Sequence, residues 1–287
     1  MEVVRCSTPE EFLFETAAYR GDAPIQTNVM GSVALSVSKD AREYDEYWWW
    51  LVKDGGNVVG ASFRTAPFGL QLGPMPDAAA ALLATAVTAV DDEFPWIVGP
   101  EDVVVSFLDA YRSNQTSSLP REFTQRRTDL VYEVTSLVVP EVSGGCRDAT
   151  LDDFELVKLW TIDFIEYIDQ EPYVPTEGDL TAMKNRLVSR QLRLWVDNDV
   201  PVSMAAHAPA VETPSGFITR VGPVYTPESL RGHGYGSAIT ASLSQELLDG
   251  GSRVMLYADQ SNSTSNSIYK NIGYHLVDHV VQYDVVK

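Results

Sequence analysis

Hydrophobic and polar positions along this chain switch repeatedly between a two-residue and a near-four-residue period. Glu2–Cys6 reads as a short strand. Thr8-Pro9-Glu10-Glu11-Phe12 then predicts a helix start, with Thr8 as cap, Pro9 in the first turn and Glu11 reaching back. Thr150-Leu151-Asp152-Asp153-Phe154 repeats that logic after Cys146-Arg147. Trp50–Ala61 reads strand, tight turn, strand around Asp54-Gly55-Gly56-Asn57, and Leu194–Met204 does the same around Asp197-Asn198-Asp199. The two pairs of matches share nearly one offset, so the chain reads as two copies of an α/β unit of about 140 residues each. The boundary falls in a short linker, Glu141–Gly145, which contains Ser143-Gly144-Gly145. The expected division is residues 1–142 and 143–287.

The first copy continues through Phe68–Leu72, Gly73-Pro74-Met75-Pro76-Asp77 and an alanine-rich helix over Ala78–Val90. Pro95–Val98 and Asp102–Arg112 read as its later strand and helix, Ser113–Arg121 as a loop, and Thr128–Val139 as a strand. Tyr47-Trp48-Trp49-Trp50 is an unusual aromatic run, and packing between the two copies is its expected role. In the second copy, Phe154, Val157, Thr161, Phe164 and Ile168 share one helical face. Asp169-Gln170-Glu171-Pro172 ends that helix and a second spans about Thr176–Gln191. The hairpin follows as Leu192–Val196 and Val200–Ala206. Phe217–Thr226 and Val254–Ala258 are strands, and the tail Tyr274–Val285 closes with one or two more.

One stretch carries chemistry. Val224-Tyr225-Thr226-Pro227 ends a strand, and Arg231-Gly232-His233-Gly234-Tyr235-Gly236 leads into a helix marked by Ile239, Leu243 and Leu247. A glycine-rich loop between strand and helix N-terminus turns backbone N–H groups toward a phosphate, and the helix dipole adds attraction. The pattern is not Walker A, because no Gly-Lys-Ser/Thr follows. It is not the dinucleotide fingerprint either, because the glycines alternate. It is Arg-x-x-Gly-x-Gly when read from Arg231 with the glycines at 234 and 236. Downstream, Asn262 stands seven residues before Tyr269, and Gly273-Tyr274 follows.

These two linked motifs resemble the GNAT acyltransferase superfamily, most densely over about 60 residues and loosely from Cys146 onward. The resemblance implies a mixed-sheet α/β (α+β) fold in two GNAT-like domains, and acetyl-CoA as the cofactor. It implies pyrophosphate contacts from Arg231, Gly232, His233, Gly234, Tyr235 and Gly236. Backbone groups of Val224 and Thr226 would meet the pantetheine arm, and Asn262 would cap its helix or touch that arm. Tyr269 would be the general acid to the departing thiolate. The first copy has no such loop, and two prolines remove backbone donors there, so it is expected to be degenerate. The implied activity is N-acetyl transfer to a primary amine of a small molecule or peptide by direct attack. The alternative is a non-catalytic CoA-binding regulatory pseudoenzyme. A purely structural interaction protein would leave the three glycines without a purpose.

Acyl transfer between a thioester and an amine needs a neutral amine, a donor to the developing oxyanion and a proton for the thiolate. No Ser/His/Asp or Cys/His set is required. The base stays open: Glu166, Asp169 and Glu171 resemble an acidic mouth or a solvated helix end, and His207 is a second candidate or a core histidine. The composition adds limits. The 287 residues carry a net charge of −19, which disfavours nucleic acid and weakly favours a cationic amine, although acidity spread over both halves favours general solubility instead. Two cysteines, Cys6 and Cys146, argue against a disulfide framework or a Cys-rich metal site. There is no run of spanning length and no secretory pattern at the N-terminus, so no membrane partner is expected and the cytoplasm is the expected compartment. Monomer and homodimer stay equally open.

Overall fold

A computed structural model describes residues 1–41, 44–90, 93–114, 121–214 and 216–286. The first series of elements is β1 (Glu2–Cys6), α1 (Pro9–Glu15), α2 (Ala17–Asp22), α3 (Asn28–Ser38), β2 (Tyr47–Asp54), β3 (Asn57–Thr65), β4 (Leu70–Leu72), α4 (Asp77–Thr88), β5 (Trp96–Gly99), α5 (Glu101–Asn114) and β6 (Phe123–Val134). The second is β7 (Gly145–Asp148), α6 (Phe154–Asp169), α7 (Glu177–Val188), β8 (Leu192–Asp197), β9 (Val200–His207), β10 (Val211–Thr213), β11 (Gly216–Tyr225), α8 (Tyr235–Asp249), β12 (Ser252–Asp259), α9 (Ser263–Asn271) and β13 (His275–Val285). Apart from β10 and one fewer helix after its first strand, the second series repeats the first in kind and order.

Local chemistry explains the matching starts and turns. Thr8 Oγ1 accepts from the Glu11 N–H at 3.2 Å, and the Thr150 N–H donates to Asp153 Oδ2 at 2.8 Å. Gly55 and Gly56 hold positive φ in one hairpin turn, as Asn198 and Asp199 do in the other. Paired positive φ values match the twist of the flanking strands.

The strands join in one sheet, ordered β1-β2-β3-β4-β5-β13-β6-β12-β11-β9-β8-β7, with β10 on β11. β4–β5 and β11–β12 run parallel, bridged by the crossover helices α4 and α8. The centre of the sheet is an exchange. β13, the last strand, lies beside β5 of the first series, and β6 lies beside β12 of the second. Tyr132 of β6 is accordingly a core residue of the second series, among Ile239, Leu243, Leu256 and Tyr269.

Two expectations are corrected. The tryptophan run does not lie between the copies: Trp49 packs with Phe12, Met30 and Phe63, and Trp50 with Leu70, Leu83 and Phe107, all of the first series. The strand expected over Thr128–Val139 spans Phe123–Val134 instead. Its expected end turns away, where the Val138 N–H donates to the Ile272 carbonyl at 3.0 Å. Helices α2 and α3 have no counterpart in the sequence pattern. The loop expected at Ser113–Arg121 falls mostly outside the described residues.

Candidate functional site

β11 and β12 pair in parallel from Phe217–Val221 to Ser252–Leu256 and then part. A bulge between Val221 and Val224 redirects β11, whose last residues, Val224 and Tyr225, pair only with Ala205 and Met204 of β9. β12 runs on to Asp259 against β6. A wedge therefore opens toward the C-terminal ends of two parallel strands, where open α/β sheets receive ligands. Its β11 side is a strand edge with no neighbour, suited to an extended arm that pairs as a strand would. Thr226 ends this edge, its Oγ1 2.9 Å from Ser203 Oγ.

The glycine loop closes the wide end of the wedge. Gly232 has φ +85° and Gly234 φ +81°, and Gly234 is the N-cap of α8. No side chain caps α8 and no acid stands in its first turn, whereas Thr8, Thr176 and Asn262 cap α1, α7 and α9. Among the described residues the N–H groups of Gly232, His233 and Gly234 meet no acceptor. Uncapped N–H groups at a helix start form an anion site. Arg231 lies over the Tyr167 ring at 5.3 Å, and its Nε donates to the Thr226 carbonyl at 3.1 Å. His233 is exposed and stacks on Tyr235. The Tyr235 hydroxyl turns inward and donates to Asp197 Oδ2 at 2.7 Å, so that side chain braces the loop against the β8–β9 turn. Gly236 faces Thr226 and Ile268, where an added Cβ would lie 3.4 Å from Thr226 Oγ1.

Asn262 Oδ1 accepts from the Ser265 N–H at 3.0 Å and caps α9. Asn266, which the sequence reading passed over, does more. Its Nδ2 donates to the carbonyls of Asp259 at 2.9 Å and Asn262 at 2.8 Å, and its Oδ1 accepts from the Tyr132 hydroxyl at 3.0 Å. It thereby ties α9 to the ends of β12 and β6. Tyr269 follows Ile268 on α9, 9% exposed. Its ring meets Tyr132 at 6.3 Å and Tyr274 at 6.0 Å. Its hydroxyl has no hydrogen-bond partner among the described residues and is not sealed from solvent. Burial pushes the phenol up to about 12.

The remaining candidates lie in two places. Glu166 Oε1 accepts from the Tyr173 N–H at 3.0 Å, which shapes the α6–α7 loop. Asp169 pairs with Arg126 at 3.4 Å, and Glu171 is exposed. His207 is half-buried, paired with Val221 below the wedge. Its Nδ1 lies 2.9 Å from the Ala208 carbonyl, and burial lowers its pKa, so it is neutral at neutral pH. The sequence also gave no sign that the Tyr225 hydroxyl donates to Asp163 Oδ2 of α6 at 3.2 Å, at the wedge's open side.

The equivalent place in the first series is filled. The Tyr19 hydroxyl donates to the Pro74 carbonyl at 2.8 Å, and a Cβ on Gly73 would lie 2.2 Å from the Tyr19 hydroxyl oxygen. α4 opens with Asp77, whose charge already answers the helix dipole. A cavity of about 470 Å³ lies along α8, lined by Pro140, Trp195, Ala238 and Glu246 among others, and none of the candidate residues borders it. Among the described residues no helix is long and apolar enough to cross a membrane, and no group of three or more His, Cys, Asp or Glu is placed to hold a metal ion.

The FR47-like protein family matches residues 203–282, from within β9 through most of β13. No curated protein matches the chain. Solved structures do. An acetyltransferase of the GNAT family from Colwellia psychrerythraea superposes with TM-score 0.64 at 12% identity, covering 100% of both chains. A GCN5-related N-acetyltransferase from Sphaerobacter thermophilus gives 0.61 at 16%, over 98% of this chain and 94% of its own. A tandem GNAT protein from the clavulanic acid biosynthesis pathway gives 0.58 at 12%, over 98% of each.

Proposed function

We propose that this chain, which has the tandem GNAT fold, transfers an acetyl group from acetyl-CoA to a primary amine of a small molecule or peptide by direct attack. The observation that carries the reading is the meeting of an open strand wedge with an uncapped glycine loop, beside a tyrosine whose hydroxyl is unengaged. Residues 143–287 would be the working copy and residues 1–142 the copy without a cradle.

The residues fit the cofactor. The N–H groups of Gly232 through Gly236 and the Arg231 guanidinium would hold the pyrophosphate. The free edge at Val224 and Thr226 would hold the pantetheine arm, with Asn262 keeping α9 in place. Bound acetyl-CoA supplies the activated acetyl thioester. Tyr269 keeps its proton through neutral pH and can hand it to a leaving thiolate sulfur. A covalent acyl-enzyme is disfavoured, because burial pushes the Cys6 thiol up to about 11 and raises Cys146, leaving little thiolate.

Isothermal titration of acetyl-CoA into the full-length protein tests the cradle, and release of free thiol across a panel of amines tests the transfer. One site per chain is expected, lost in Gly234→Glu. Two sites would give the first copy a cradle of its own. No binding would reject the reading.

A further inference from the structure

β11 and β12 present two faces, and α8 covers the one that carries Val221 and Leu256. The opposite face carries Ile218, Met255 and Tyr257, and α3 of the first series packs over β10 and β11 there. Arg220 points to this face. Its Nη1 donates to Asn28 Oδ1 at 3.2 Å and to Ser32 Oγ at 3.4 Å, both neutral groups of α3. Among the described residues it has no carboxylate within ion-pair reach, and its Nε and Nη2 donate to nothing.

Supply is not the reason, since the chain holds 40 Asp and Glu against 21 Lys and Arg. Other deep arginines are served. Arg193, with its side chain 8% exposed, lies between Asp148 and Glu246. Arg20 also shows no carboxylate within ion-pair reach among the described residues, but its Nε and Nη2 are both engaged, donating to the Thr16 hydroxyl at 3.0 Å and the Leu13 carbonyl at 2.8 Å. A guanidinium stays charged, so a deep one without a counter-charge is costly unless a ligand supplies it.

The neighbours of Arg220 also have hydrogen to give. The Tyr257 hydroxyl has no partner among the described residues, and burial pushes the phenol up to about 12. Asn28 Nδ2 is buried and unpartnered, and because Arg220 can only donate, it fixes Oδ1 toward itself and Nδ2 away. The nearby carboxylates are already engaged: Asp129 with Arg127 at 3.1 Å, and Asp278 with Gln26 at 2.7 Å. Arg220 and Tyr257 are each half-buried rather than fully enclosed. They flank Val221 and Leu256, the last parallel pair before the strands part. The donors therefore sit at the apex of the wedge, on the face away from α8.

We propose that the acceptor amine carries a carboxylate, held by the free N–H groups of Arg220 with the Tyr257 hydroxyl beside it. The acceptor is then a free amino acid or a close relative, its amine lying further along the wedge. This rests on the acetyltransferase reading and narrows its substrate class. A zwitterion also accommodates the acidic surroundings, which favour the ammonium end. Part of the proposed site comes from the first copy, through Asn28 and Ser32 of α3.

The test is calorimetric titration of the twenty free amino acids, each beside its carboxamide, into full-length protein saturated with CoA. At least one acid should bind, with its carboxamide roughly 100-fold weaker, the scale on which losing a hydrogen bond to a charged group weakens binding. Arg220→Met should lose the acid by a similar factor while CoA affinity holds, and Arg220→Lys should fall between. Equal binding of acid and carboxamide, no binding by any acid, or an unchanged acid affinity in Arg220→Met would each overturn the proposal. The comparison of acid with carboxamide on the unaltered protein needs no variant to fold. Failure of CoA itself to bind would instead strike the acetyltransferase reading, and titrating the same pairs into the free protein would still decide for or against the carboxylate recess.

Discussion

Tyr269→Phe separates chemistry from packing unusually well in this protein. The substitution removes one oxygen and keeps the ring against Tyr132 and Tyr274. Since the hydroxyl has no protein partner, no donor or acceptor is orphaned, and stability should change by no more than about 0.5 kcal/mol. Tyr274→Phe is the contrast. Its hydroxyl lies 2.7 Å from Ser244 Oγ in a buried pair, and breaking it should cost about 1–2 kcal/mol with turnover unchanged. For Tyr269→Phe the kinetic loss should be that of a missing general acid, roughly 10²–10⁴-fold in kcat. That is about 2.7–5.5 kcal/mol in the barrier. Acetyl-CoA affinity should not move. The assay is thiol release at saturating acetyl-CoA with the best amine from the panel, alongside urea melts of both variants. Wild-type turnover in Tyr269→Phe would remove this residue from the mechanism, and a large stability loss would show that its hydroxyl is engaged after all.

Other outcomes follow from the same structure. Gly234→Ala forces a Cβ onto φ +81° and to 3.0 Å from Val142 Cγ2, so acetyl-CoA affinity should fall at least about tenfold by calorimetry. Gly232→Ala meets nothing within 4 Å and should weaken binding less, through φ +85° alone. Tyr257 and Tyr269 lie at about 12 against an ordinary 10.0, so the folded state holds protons the unfolded chain releases. Their stabilisation is full below pH 10 and is lost as pH rises toward 12, and a melting temperature flat over that range would contradict the burial. The Arg147 guanidinium holds Asp153 at about 2 against an ordinary 3.8. The gain is present above that ordinary value and lost as pH falls toward 2, so Arg147→Met should flatten the acid limb of denaturant melts between pH 4 and 2.

What the sequence made legible was local. Thr8 and Thr150, the Gly55-Gly56 and Asn198-Asp199 turns and the glycine loop act within a few residues of themselves, so spacing alone reveals them. Helix α3 was hidden because Val29, Val33 and Val37 are β-branched and Gly31 and Ser32 are weak helix formers. It forms because Met30 and Ala34 pack into the first copy's core while Asn28 and Ser32 meet Arg220. Alternation marked the tail as a strand but could not say which edge it would join. The tryptophan run misled for a related reason: three large side chains demand burial without specifying against what. Arg220 reads as an ordinary residue in an apolar strand, and what singles it out is the pair of N–H groups, on Nε and Nη2, for which three-dimensional packing supplies no acceptor and no counter-charge among the described residues.

The exchange of β6 and β13 has a consequence for how the protein is made. During synthesis the first copy emerges complete except for the strand that seals β5, and that strand follows every other element of the second copy in chain order. Until β13 is translated, β5 presents an unpaired edge, and β6 has at most β12 beside it. Domain-by-domain maturation is thus closed to this chain at its centre, where final pairing spans most of its length and should be slow. A nascent chain stalled before β13 should be sensitive to proteases in both halves, and release should protect both together.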